Sequence, residues 1–87
     1  MNDTGWVALA GSIVGTASAN ETVYRWDHRY HPTKVGALNA GFGLAHGTDD
    51  FNVGRVVNGK LVWFGWMHEE HPAEDRPAVA AQFGWTT

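Results

Sequence analysis

The sequence predicts an α+β domain: an antiparallel sheet of about four strands in a two-layer arrangement with one main helix, followed by a short C-terminal helix. Three observations lead there. Asn58-Gly59 stands between two runs rich in β-formers, Phe51 to Val57 and Lys60 to Met67, and Asn-Gly is the strongest short-range hairpin signal because both central residues of a type I′ turn need φ > 0. Thr33 follows His31-Pro32 and precedes a helical spacing of apolar residues, as at a capped helix start. No internal repeat or low-complexity tract interrupts the 87 residues, a length that makes one domain.

Taken in order, residues 1–5 are polar and expected to fray, as are 86–87, within a single domain of residues 1–87. From Trp6 to Val14 two periodicities overlap. Trp6, Leu9, Ala10, Ile13 and Val14 fit a helical stripe, while Val7, Leu9 and Ile13 fit one face of a strand with Trp6, Ala8 and Ala10 on the other. Gly11 and Gly15 weaken a helix, so the segment is read as strand. Gly15 to Asn20 is small and polar and reads as a loop. Glu21 to Tyr30 alternates and reads as a second strand, antiparallel to the first, with Asp27-His28-Arg29 as its charged end.

A helix is expected over Lys34 to His46, with Val35, Leu38, Phe42 and Ala45 near the inward face and Gly47 as the left-handed stop. Gly36, Gly41 and Gly43 each cost about 1 kcal/mol relative to alanine, so packing must hold this helix. Gly36, Ala40 and Gly43 form a small-residue stripe. After the hairpin, HEEHPAEDRPA reads as a charged linker. Asp75 would cap a last helix that turns Val79, Ala80 and Phe83 inward and ends at Gly84, with Trp85 folding back on Ala80. The order is strand, strand, helix, strand, strand, helix.

A two-residue hairpin loop sets Val57 beside Lys60, Arg55 beside Val62, Val53 beside Phe64 and Phe51 beside Trp66. The other face then carries Val56 beside Leu61, Gly54 beside Trp63, Asn52 beside Gly65, and Met67. Both faces are apolar, whereas a hairpin with one solvated face alternates apolar and polar residues. Two covers for the second face stay open: the C-terminal part of the same chain, or a partner, most simply a second copy.

Composition narrows the function. With net charge −3 and its six Lys and Arg scattered, the chain lacks the basic stripe of a nucleic-acid binder. The alternative that survives is stacking of single-stranded bases on Tyr24 and Trp26, with Arg25 and Arg29 beside them. The absence of cysteine removes disulfides and thiolate chemistry. No apolar run approaches the roughly 18 residues of a membrane span, and the first residues lack the basic region of a secretory signal, so a soluble, cytoplasmic protein is expected.

His28-x-x-His31 and His68-x-x-His71 offer nitrogen ligands at a spacing that suits a helix turn. They fall in loops or at strand ends, so neither metal nor cofactor is expected. Asp49, Asp50, Glu69, Glu70, Glu74 and Asp75 read as turn formers, caps and solubilising charge, because acid-base catalysis needs a carboxylate with a shifted pKa inside a pocket. Ser12 and Ser18 stand in no nucleophile elbow, and the glycines follow no phosphate-loop pattern. A non-enzymatic protein is expected.

WDHRYHPTKVGALNAG followed by DDFNVGRVVNGKLVWFGWM resembles the small α+β proteins of unknown function found in phages and other mobile elements, over residues 21–67. The resemblance implies the fold and a genomic setting. Some proteins from that setting inhibit host defence, anti-CRISPR proteins among them, and it hands over no catalytic residue. Five tryptophans and two apolar hairpin faces point to contact with protein. The expected function is a self-associating interaction module, a homodimer with a possible host partner, that modulates or inhibits a host protein. The expected interface is Val56, Leu61, Trp63 and Met67, with Arg55 and Lys60 at the hairpin tip.

Overall fold

A computed structural model of the chain describes residues 3–16, 19–45, 47 and 49–87. Its longest strand, β1 (Gly5–Thr16), serves two neighbours, both antiparallel: its distal part pairs with β2 (Ala19–Trp26) and its proximal part with β3 (Asp50–Val57). β4 (Lys60–Trp66) pairs with β3, and β5 (Glu69–Glu70) with β4, giving the order β2-β1-β3-β4-β5. One helix, α1 (Lys34–Leu44), lies between β2 and β3 in the chain. The other, α2 (Arg76–Phe83), follows a 3₁₀ turn over Ala73–Asp75. The α+β class, the antiparallel sheet and the short C-terminal helix are as the sequence predicts, with β5 as a fifth strand.

Alternation along β1 sends neighbouring side chains to opposite faces of the sheet. Ala8 packs with Val53 and with Ala37 of α1, ringed by Trp6, Leu38, Ala40 and Trp63. Val7 and Leu9 pack with Val56, Leu61 and Phe64 beneath Val79 and Ala80 of α2, and Trp85 joins them. The two helices therefore cover opposite faces. The second face of the hairpin is covered by the C-terminal part of the same chain.

The turn at Asn58-Gly59 has positive φ at both residues, 51° and 77°, as a type I′ hairpin requires. The register beyond it differs from a plain two-residue hairpin. Val57 faces Lys60 and Val56 faces Leu61, but Arg55 then faces Trp63, Gly54 faces Phe64 and Val53 faces Gly65. Val62 is the extra residue of a bulge, and its carbonyl accepts a hydrogen bond from Arg76 Nη1 at the start of α2. The bulge sends Trp63 to the α1 face. The aromatic-over-glycine contact expected of Trp63 and Gly54 forms instead between Tyr24 and Gly11, which pair across β1 and β2. A Cβ on Gly11 would lie 2.5 Å from Tyr24 Cε1, so the ring needs the bare backbone. Gly54 is filled by Leu61 and Val7.

Thr33 caps α1 as expected, accepting from the Gly36 N–H at 3.1 Å. The helix stops at Leu44, with Ala45 already extended, before Gly47. Its inward face is Ala37 and Gly41, while Val35 and Phe42 of the expected face are exposed. Small residues take that face, where Ala37 packs against Ala8 and Val53 and Gly41 lies beside Phe51. At the other end Gly84 is left-handed (φ 77°) and the Trp85 N–H reaches the Ala80 carbonyl at 3.0 Å, the expected stop. Asp75 makes no side-chain cap.

Four segments expected to be irregular are tied down in part. The Gly59 N–H donates to the Asp3 carbonyl, the Asn58 N–H to Thr4 Oγ1, and Thr86 exchanges backbone bonds with Gly59 and Leu61. Gly15, Thr16, Ala19 and Asn20 of the expected loop belong to the two strands, and residues 17–18 lie outside the described residues. Part of the charged linker forms β5, after a turn at Met67-His68.

Candidate interaction surface

The six residues expected to form the interface do not share a surface. Val56 and Leu61 are fully buried under α2. Trp63, on the α1 face, is half-buried and sets its ring edge against Trp6, centroids 5.8 Å apart at 73°, a favourable aromatic geometry. Lys34 Nζ lies 4.1 Å from the Trp63 centroid and the Arg55 guanidinium 5.4 Å from that of Trp6, both within cation-π reach. Burial lowers the Lys34 pKa. Lys60 is exposed beside the turn and Met67 exposed in the next one.

The base-stacking alternative is likewise dispersed. Tyr24 packs edge-on to Phe64, and Trp26 packs edge-on to Trp85, Phe83 and Tyr30, so both rings are engaged in the α2 face. Arg25 sits on the opposite face, where Nη2 donates to the Leu44 carbonyl at 2.9 Å and pairs with Asp49. Arg29 is exposed, its N–H held by Asp27.

The histidine pairs do not converge. His31 Nε2 lies 2.9 Å from Asp27 Oδ2, whereas His28, at φ 62°, lies against Trp26. His68 is exposed. His71 is stacked on Phe64 at 4.7 Å, with Nε2 2.9 Å from Asn52 Oδ1. Among the described residues no group of three or more histidine, cysteine or acidic side chains is placed to hold a metal ion. His71 also lines a groove of about 340 Å³ with Tyr24, Glu74, Asp75 and Gln82. Burial, then the charges of Asp50 and Asp75, raise the Tyr24 pKa.

The surface that the hairpin reading missed lies at the far end of β1. β3 begins opposite Gly11, so among the described residues Ser12 to Thr16 run on past it with β2 as the one strand paired to them, while Asp49 and Asp50 line a groove with Ser12 and Ile13. This two-stranded arm exposes Ile13 (68%), Val14 (45%) and Val23 (39%). A signal for it was available in the composition. From Thr4 to Asn20 the chain has no charged side chain, although surface strands normally carry some. Among the described residues no helix is long and apolar enough to cross a membrane.

Comparison of the chain with protein-family models, with curated proteins and with solved structures finds no match.

Proposed function

We propose that this protein is a small interaction module that works by binding protein and not by chemistry, and that it associates with itself. The observation that carries the reading is the arm: a run of uncharged strand whose apolar side chains the chain leaves in water while burying both faces of its central hairpin. Exposed apolar residues gathered on one projection mark a contact surface. The interface is thus moved from the hairpin, where Val56 and Leu61 are core, to Ile13, Val14 and Val23.

Charge bears on where two copies would meet. Two copies at −3 each repel, and the neutral arm is where they meet with least opposition. A modulator or inhibitor of a host protein, a role that some proteins of the mobile-element setting play, would use this or the remaining surface for its target.

The test is the mass of the purified protein in solution across a dilution series. A mass rising from 9.5 kDa toward twice that value with concentration supports self-association. A constant single-chain mass up to millimolar concentration contradicts it.

A further inference from the structure

The sheet treats its edges unequally. At the outer edge of β2, the Gln82 amide stands in for a strand, accepting from the Tyr24 N–H at 2.9 Å and donating to the Thr22 carbonyl at 3.1 Å. The outer edge of β4 is closed by Thr86 at one end and by β5 at the other. β5 is two glutamates long. Short strands, edge charges and covering side chains are the devices that keep a sheet from adding a foreign strand. Among the described residues, β1 beyond Gly11 is long and carries no charge of its own, no strand pairs with it on this side, and Asp49 and Asp50 line a groove with Ser12 and Ile13 at its near end.

The pattern of the ladder says which groups that edge presents. Trp6 exchanges both backbone bonds with His31 on the β2 side of β1, and backbone groups alternate sides along a strand. With no register shift along the β1–β2 ladder, even-numbered residues bond toward β2. Ile13 therefore directs N–H and C=O outward, and Gly15, which keeps its register opposite Asn20 at a φ of 113°, follows on the same side. Among the described residues nothing bonds to either.

We propose that this edge pairs with the same edge of a second copy, antiparallel, about a twofold axis at Val14, making one continuous sheet through two molecules. The proposal rests on the self-association reading and names its surface. In this register Ile13 of each copy exchanges two hydrogen bonds with Gly15 of the other, so the four outward donors and acceptors on each side are satisfied together. Val14 meets Val14 as a non-hydrogen-bonded pair with Cα atoms about 4.5 Å apart. The Ile13 side chain lies beside a glycine, which leaves it room. An isologous contact needs a self-complementary patch, and an uncharged segment with its bonding groups symmetric about one residue is such a patch. With far fewer than the roughly 20 to 30 residues a side of a standard interface, the contact should be concentration-dependent.

The chain has no cysteine, so single-cysteine variants report neighbours directly. Val14→Cys, Val23→Cys and Met67→Cys are each treated with a mild oxidant at high protein concentration, with circular dichroism checking that each variant folds. The expected result is a disulfide-linked dimer from Val14→Cys alone, since Val23 lies one strand further from the axis and Met67 lies in the turn after β4. If the wild type dimerises while Val14→Cys stays uncrosslinked, self-association stands and the arm-edge inference is overturned. If the wild type is monomeric at every concentration and Val14→Cys stays uncrosslinked, both fall, and the edge is left to a different chain.

Discussion

Gln82 stands beside Tyr24 as a strand would: its side-chain amide bonds the Tyr24 N–H at one end and the Thr22 carbonyl at the other. One residue of α2 thereby fastens that helix to the strand furthest from β4 and blocks the outer edge of the sheet. Gln82→Ala removes both bonds, and at a net worth of about 1 kcal/mol each the domain should lose about 1 to 2 kcal/mol. Denaturant unfolding measures that loss. The variant should also aggregate more readily than an equally destabilised core variant, because it frees an edge.

Arg76 holds the bulge. Its bond to the Val62 carbonyl involves a charged donor, a class worth roughly 1.5 to 3 kcal/mol. Arg76→Ala should cost that much in unfolding free energy. The backbone amides of Leu61 to Trp63 should lose more hydrogen-exchange protection than those of β1.

Trp63 was expected either in an interface or in the core. Half-buried against Trp6 and Lys34, it should contribute less than a fully buried tryptophan, whose loss costs about 3 to 5 kcal/mol. Trp63→Ala is predicted to cost about 2 to 3 kcal/mol and to leave the concentration dependence of the mass unchanged, as measured by unfolding and light scattering on the same sample.

Tyr24 makes alkaline stability informative. Its pKa is raised above the usual 10.0 by burial and by Asp50 and Asp75. Above about pH 10 the unfolded chain loses this proton first, so the folded state binds more protons and stability falls as pH rises. Lys34, with its pKa lowered by burial, works in the opposite sense and is common to both proteins compared. Tyr24→Phe should therefore show a shallower loss of stability above pH 10 than the wild type. Unfolding midpoints at pH 8 to 11 provide the comparison.

Local signals were the legible ones. Asn58-Gly59 fixes a turn through its own φ angles, Thr33 caps through its own hydroxyl, and Gly84 with Trp85 stops α2 within one turn. The apolar pattern on both faces of the hairpin also showed that two covers were needed. What could not be read depends on distant residues. The Val62 bulge has its anchor 14 positions away in Arg76, and without it the register of β4, and the face of Trp63, come out wrong. The inward face of α1 was assigned to the larger apolar residues, whereas the buried residues are Ala37, packed on Ala8 and Val53, and Gly41, beside Phe51. β1 was read only as far as Val14 because Gly15 to Asn20, small and polar, reads as a loop. Tyr24 lies over Gly11 within the strand, and only the pairing partners reveal that β1 outruns β3.

The central claim is that the neutral end of β1 joins two copies, and light scattering behind a sizing column tests it most directly by comparing the wild type with the Ile13→Lys/Val14→Lys double variant across one dilution series. The account predicts a wild-type mass that climbs from 9.5 kDa toward two chains, and a folded double variant that stays at one chain over the same range. A double variant that associates as readily as the wild type would contradict it.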